Sequence, residues 1–414
     1  MPGSGPCGPV RRSRETAPRG RRTPPVDPRV VTMLPDAFDV GPVRIAPNLL
    51  LAPMSGITDS AYRALLKDLN PGAIGLVVTE LISVEALARR DRRTFQMVRF
   101  RERERPLALQ LFGAEPERMA EAAAIAQDLG ADIIDVNCGC PAPKVTRKGG
   151  GAELMRRPAV LAAILRALRR VLSVPYTVKI RAGWDEGSRN AVEIARLAEG
   201  EGAAMVAVHG RTRAQLYAGA PDWELTARVK QAVRVPVVGS GDITSADGAL
   251  ARLRTSGVDG IMIGRATLGH PWIFREIAAR RRGLPLPPVS AAERLASVDA
   301  LLACLAAELP PERALGRARG LACRMLRGVP GAATLRAALA GAPSLAAMRT
   351  LLATAQAAAA CEERAPQVAE DLGLLLATGQ ATAAACERPA DAGSPGAGDG
   401  ATVRSDRLVC PEGP

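Results

Sequence analysis

Between residues 44 and about 283 the chain alternates short apolar runs with amphipathic stretches eight times, a rhythm that few folds accommodate. The runs are LLLAP at 49, IGLVVTE at 74, LALQLFG at 107, DIIDVN at 132, VPYTVKIR at 174, AMVAVHG at 204, VPVVGSG at 235 and VDGIMIG at 258. They are rich in β-branched residues and nearly continuous in apolar character, as strands buried on both faces of a parallel sheet must be. Intervening stretches such as PERMAEAAAIAQDLG and NAVEIARLAEGEG have helical periodicity and stop at Gly, so each run pairs with a helix in a βα unit. Eight such units predict an α/β chain built as a TIM (β/α)8 barrel. An open, doubly wound sheet is the alternative. It would be marked by a Gly-rich dinucleotide turn after the first strand, and none stands there.

At 414 residues the chain exceeds one core and leaves room for a second unit and tails. The barrel is expected over 44–285. Residues 290–356 hold no strand candidate, only Ala, Leu and Arg at helical spacing, as in RALGRARGLACRMLRG, and read as a small all-helical domain. Residues 1–43 are Pro, Gly and Arg rich, and residues 357–414 are Ala, Gly and Pro rich; both read as disordered or weakly helical tails. Of the formal charge of +13, the first 43 residues contribute +3 and the last 58 contribute −5, which leaves +15 on the body. A body that basic points to a polyanionic partner, nucleic acid first. Arg313, Arg317, Arg319, Arg324 and Arg327 of the helical segment are either a solvated helix face, the commoner case, or a phosphate-contacting surface.

No run of eighteen apolar residues and no apolar stretch behind the basic N-terminus suggest a membrane span or a secretory signal, so a cytoplasmic protein is expected. Eight scattered cysteines, no CxxC and two histidines suit reduced thiols and give no credible metal site. A monomer is the default expectation.

The segment DVNCGCPAPKV, Asp135 to Val145, sets an amide and a thiol where an apolar strand ends. Gly139 and Pro141 break the strand, which puts Cys140 on the following loop, where a barrel enzyme keeps its chemistry. A free cysteine is more often a small buried hydrophobe, and this segment alone does not decide between the two readings. The other strand ends are chemically coherent. They present Pro53, Met54 and Ser55; Thr79 and Glu80; Gln110; Asn137; Lys179 and Arg181; His209 and Arg211; Ser240, Gly241 and Asp242; and Gly264 with Arg265. Singly, His209 reads as a satisfied core histidine, Gln110 as a polar barrel-layer residue and Met54 as packing, whereas an inward Lys179 favours function because lysine is almost never buried unpaired. Together, amide and cationic groups suit the N1 and C2-carbonyl edge of a flavin mononucleotide. The Gly-containing loops after strands seven and eight suit its phosphate.

The segments LAPMSGITDSAYR, VTELIS, LQLFG, DVNCGCPAPKV, YTVKIRAGW, VHGRTRAQLYAG, GSGDI and IGRATLGHPWIF, in this order, resemble the tRNA-dihydrouridine synthases over residues 44 to 283 and weakly to about 355. The resemblance implies FMN as cofactor, NADPH as reductant, tRNA as partner and reduction of the C5=C6 bond of particular uridines. By motif, Pro53, Met54 and Ser55 would line the flavin, Gln110, Lys179 and His209 would bond its ring edge, and Ser240, Gly241, Asp242, Gly264 and Arg265 would surround the ribityl phosphate. Cys140 would be the general acid, giving a proton to C5 from the face opposite to hydride arrival at C6; a thiol of ordinary pKa, about 8.5, is mostly protonated at neutral pH. Asn137 would bond the uracil edge, and Arg181 or Arg211 would help place it. The target base must leave its stack to reach a barrel mouth, at a cost of a few kcal/mol. Only eleven aromatics occur in the chain, which favours recognition of tRNA shape over a stacking platform.

Two positions depart from the family pattern. Ser240 stands where an Asn is common, and Arg324-Met325 stand where aromatics are frequent. The acidic tail after 357 matches no family feature. Two other readings remain: a small-molecule FMN oxidoreductase of the dihydroorotate dehydrogenase kind, which leaves the basic body without a role, and a non-catalytic tRNA-binding protein, which leaves Cys140 and Lys179 without one.

Overall fold

The computed structural model describes residues 35–286 and 288–359 and the backbone of 408–409. Eight parallel strands close on themselves: β1 (Leu49–Leu51), β2 (Leu76–Val78), β3 (Leu107–Phe112), β4 (Ile133–Cys138), β5 (Tyr176–Arg181), β6 (Val206–His209), β7 (Val237–Ser240) and β8 (Gly260–Ile263). Closure comes from the pairing of β8 with β1, with Ile261 opposite Leu49, and rules out the open sheet. A short extra strand, Ile82–Ser83, extends the β3 edge beyond β2.

Strand alternation separates two cores. Leu50, Leu76, Ile133 and Met205, with Ala52, Val78, Ala108, Ala207, Val238 and Met262, fill the barrel interior. The residues one step away, such as Leu49, Leu51, Leu109, Ile134, Val136 and Cys138, pack outward against the helices. Those helices are α1 (Ser60–Leu69), α2 (Pro116–Asp128), α3 (Pro158–Val171), α4 (Ala191–Gly200), α5 (Trp223–Ala232), α6 (Ala246–Ser256) and α7 (Ile273–Arg281). Their starts are written locally. Asp59, Asp222 and Ser245 cap α1, α5 and α6 by accepting from Tyr62 N, Leu225 N and Gly248 N, and Pro opens α2 and α3. After β2 the expected single helix is two short ones, Val84–Ala88 and Arg92–Met97.

The tail expected over 1–43 is corrected at its inner end. Phe38–Val40 and Val43–Ile45 form an antiparallel hairpin whose Phe38, Val40 and Ile45 are buried with the barrel-interior core. The apolar positions there are too few to show a period in sequence, and they gain meaning only from the open barrel end they cover. Residues 1–34 and 360–407 of the two tails lie outside the described residues.

The helical segment comprises α8 (Ala291–Glu308), α9 (Pro311–Met325), α10 (Ala332–Gly341) and a helix over 345–359, which passes the expected boundary at 356. It is docked by charge as well as packing. Glu308 of α8 pairs with Arg101 at 2.8 Å, beside the fully buried Arg63–Glu104 pair at 2.6 Å. Among the described residues no helix is long and apolar enough to cross a membrane.

Candidate active site at the barrel mouth

The C-terminal ends of the strands open into one cavity of about 1340 Å³, walled on one side by the helical segment. Pro53, Met54, Ser55, Gln110, Asn137, Cys140, Lys179, Arg181, His209, Ser240, Gly241, Asp242, Gly264 and Arg265 all line it. Pockets for a single drug-sized ligand run to about 1,000 Å³, so this one has room for two adjacent ligands.

A chain of side chains inside the barrel orients the polar floor. Thr177 Oγ1 donates to Asp135 at 2.6 Å, Gln110 Nε2 donates to the other Asp135 oxygen at 2.6 Å, and Asn137 Nδ2 donates to Gln110 Oε1 at 2.7 Å. Asn137 Oδ1 then accepts from the backbone N–H of Cys140 at 2.8 Å and of Gly139 at 3.2 Å. Asp135 anchors this chain, and burial pushes its carboxyl above the usual range. It was not singled out from sequence, although an acid inside an apolar strand is a legible signal. Asn137 therefore has a first task other than the uracil edge: it shapes the turn that carries Cys140, with one Nδ2 hydrogen left over.

Strand alternation and the end of β4 separate the two neighbouring thiols. Cys138 points outward and is fully buried, with its pKa raised by burial, while Cys140 stands half-exposed at the cavity wall.

Lys179 has no hydrogen-bond or ion-pair partner among the described residues, and burial, with Arg181 nearby, lowers it to about 8. Its side chain opens into the cavity and so is partly accessible. His209 is held neutral: burial, then the cations Lys179, Arg181, Arg211 and Arg265, press it to about 2. Its Nδ1 is buried without a partner among the described residues. Lys179 and His209 both line the cavity, and a lysine there without a partner among the described residues marks a place for a ligand's acceptors. Gly241 has φ +134°, and a Cβ there would lie 2.7 Å from Pro221 Cβ, so the backbone after β7 must be glycine to pass.

Three expected residues play parts different from those expected. Arg211 does not line the cavity: it is 2 % exposed, paired with Asp242, and its Nε donates to Ala218 O at 3.2 Å. Its place in the chain, next to His209-Gly210, does not show that the following loop folds back over it. Arg181 lines the cavity but is engaged, donating to Gly139 O at 2.8 Å, Thr212 O at 2.8 Å and Leu216 O at 2.9 Å, which braces two loops. The Asp242 carboxylate is taken by Arg211 and by Arg265 at 2.8 Å. It repels a phosphate, so only its backbone N–H and the adjacent guanidinium suit one.

The lip of the cavity adds residues that sequence reasoning passed over. Tyr217 is 56 % exposed, with the Arg265 guanidinium 4.3 Å from its ring centroid and that of Arg181 at 5.8 Å. From the helical segment come Arg324, Arg327 and Arg336, none with a side-chain partner among the described residues. From sequence Arg324 and Arg327 belong to a helix face of open role, and Arg336 carries no local signal.

A parallel barrel that collects a thiol, an unpaired lysine and a neutral histidine at its C-terminal mouth defines a (β/α)8-barrel enzyme site. The chain belongs to the dihydrouridine synthase family: the family model, Dihydrouridine synthase (Dus), matches residues 50–361. It is 40% identical over 314 residues to a Mycobacterium tuberculosis protein named "Probable tRNA-dihydrouridine synthase", covering 73% of this chain and 81% of that one. It is also 42% identical over 263 residues to "tRNA-dihydrouridine synthase B" of Pseudomonas putida, covering 63% of this chain and 77% of the other.

Proposed function

We propose that this protein is a tRNA-dihydrouridine synthase that reduces the C5=C6 bond of uridine in tRNA, with FMN as cofactor and NADPH as reductant. The observation that carries the reading is the convergence of Cys140, neutral His209 and Lys179, which has no hydrogen-bond or ion-pair partner among the described residues, on one cavity large enough for two ligands. The relatives' names agree with it.

The residues fit a flavin mononucleotide. Lys179, His209 and Gln110 supply donors to the ring edge, and Lys179, lowered to about 8, regains a partner when it meets an anionic acceptor. The backbone around Ser240, Gly241 and Gly264, with Arg265, suits the phosphate. When bound, FMN supplies the hydride that reaches C6 of the uracil. Cys140 holds a proton at Sγ and delivers it to C5, on a loop fixed by Asn137. The free N–H of Asn137 bonds the uracil edge, and Arg181 keeps the loops on either side in register. Arg324, Arg327 and Arg336 meet the phosphates on either side of the base drawn into the cavity, offsetting the unstacking. A small-molecule oxidoreductase would leave these three cations without a task.

The test is anaerobic. NADPH should bleach the flavin absorbance of the purified protein, and unmodified tRNA, but not orotate, should restore it. Reoxidation by orotate alone, or a protein that binds no flavin, would sink the reading.

A further inference from the structure

Arg317 of α9 reaches back into the barrel. Its Nη2 lies 3.0 Å from Glu80 Oε1, just beyond the end of β2, and 2.9 Å from Asp59 Oδ2, the residue that caps α1. Glu80 is 5 % exposed, and its other oxygen accepts a short hydrogen bond from the backbone N–H of Gly56. Gly56, at φ +76°, sits at the apex of the turn in which Ile57 N and Thr58 N donate to Met54 O at 3.0 and 3.1 Å. That turn carries Pro53, Met54 and Ser55 into the cavity. Among the described residues Arg317 is the only cation paired with Glu80. The barrel thus buries a carboxylate under its own cofactor loop and leaves the balancing charge to the helical segment.

We infer that Arg317 is a positioning residue: through Glu80 it fixes the 53–57 turn against the flavin, so the helical segment sets flavin affinity without touching the cofactor. The inference rests on the reading of the cavity as an FMN site. A buried acid stripped of its cation turns toward water. Gly56 then loses its acceptor, and the turn loosens.

The experiment is FMN titration of the full-length, flavin-free protein, followed by quenching of flavin fluorescence. Arg317→Met should weaken FMN binding about tenfold or more. Arg317→Lys should recover part of it. Glu80→Gln keeps an acceptor for Gly56 and removes the charge, so in the Arg317→Met background it should restore most of the affinity. A contact that merely glued the two units would make the double variant no better than the single one. Arg349→Ala, which breaks an exposed pair with Asp299 in the same segment, should leave the affinity unchanged. Tight FMN binding by Arg317→Met, or a double variant as weak as the single, overturns the inference while the FMN reading stands. A wild-type protein that binds no FMN overturns both.

Discussion

Lys179→Met should make the flavin-free protein more stable at neutral pH and less able to hold flavin. The lysine falls from its ordinary 10.5 to about 8, chiefly through burial. At about 1.36 kcal/mol per pH unit, carrying the charge in the folded state costs about 3 kcal/mol, a ceiling because cavity water screens it. The folded pKa lies below the unfolded one, so the unfolded chain binds more protons between pH 8 and 10.5. Stability therefore rises with pH through that window, and the cost is full below pH 8. Methionine carries no such term. In urea denaturation of the flavin-free proteins, the variant's advantage should be greatest at pH 7 and should shrink steadily as pH approaches 10. FMN affinity should fall tenfold or more, the worth of a charge-assisted hydrogen bond. A stability difference that stays constant from pH 7 to 10 would refute the depressed titration, and undiminished FMN affinity would refute the assignment of Lys179 to the flavin edge.

Cys140→Ala should lower dihydrouridine formation by about 10²–10⁴ while tRNA affinity holds; mass analysis of digested tRNA reads the first, a binding titration the second, and an unchanged rate removes the acid assignment. Asn137→Ala removes the acceptor for two backbone N–H groups and should cost about 1–3 kcal/mol in urea denaturation; wild-type stability would mean the turn holds itself. Arg324→Ala, Arg327→Ala and Arg336→Ala should each reduce the slope of log affinity for tRNA against log salt by about 1, and an unaltered slope would take that residue off the RNA. His209, pressed to about 2 by burial and then by the surrounding cations, should show no NMR titration between pH 5 and 8; a midpoint near 6 would mean that neither is felt.

Much of the site was legible because a closed parallel barrel sends the residues at its strand ends to one mouth, so finding the strands placed Gln110, Lys179 and His209 together. Period-two alternation also separates Asp135 and Asn137, inside, from Cys138, outside, once β4 is located. What could not be read is which partner each side chain meets. Arg181 and Arg211 look equally suited to a substrate, yet one is spent on three carbonyls of two loops and the other on Asp242 and the 218–219 carbonyls. Ser240, the departure from the family pattern, is 7 % exposed at the cavity wall.

The sequence by itself determined the barrel, the helical segment after it and the class of chemistry, because strand and helix periods, turn residues and residue types at strand ends are local properties. Only the tertiary structure decided that the hairpin over 38–45 covers one end of the barrel, that Arg324, Arg327 and Arg336 face the same cavity as Cys140, and that Arg317 balances Glu80 across 237 residues of chain. Those contacts depend on how separate elements dock, and a charge carries no mark in the sequence of the distant partner that burial will assign to it.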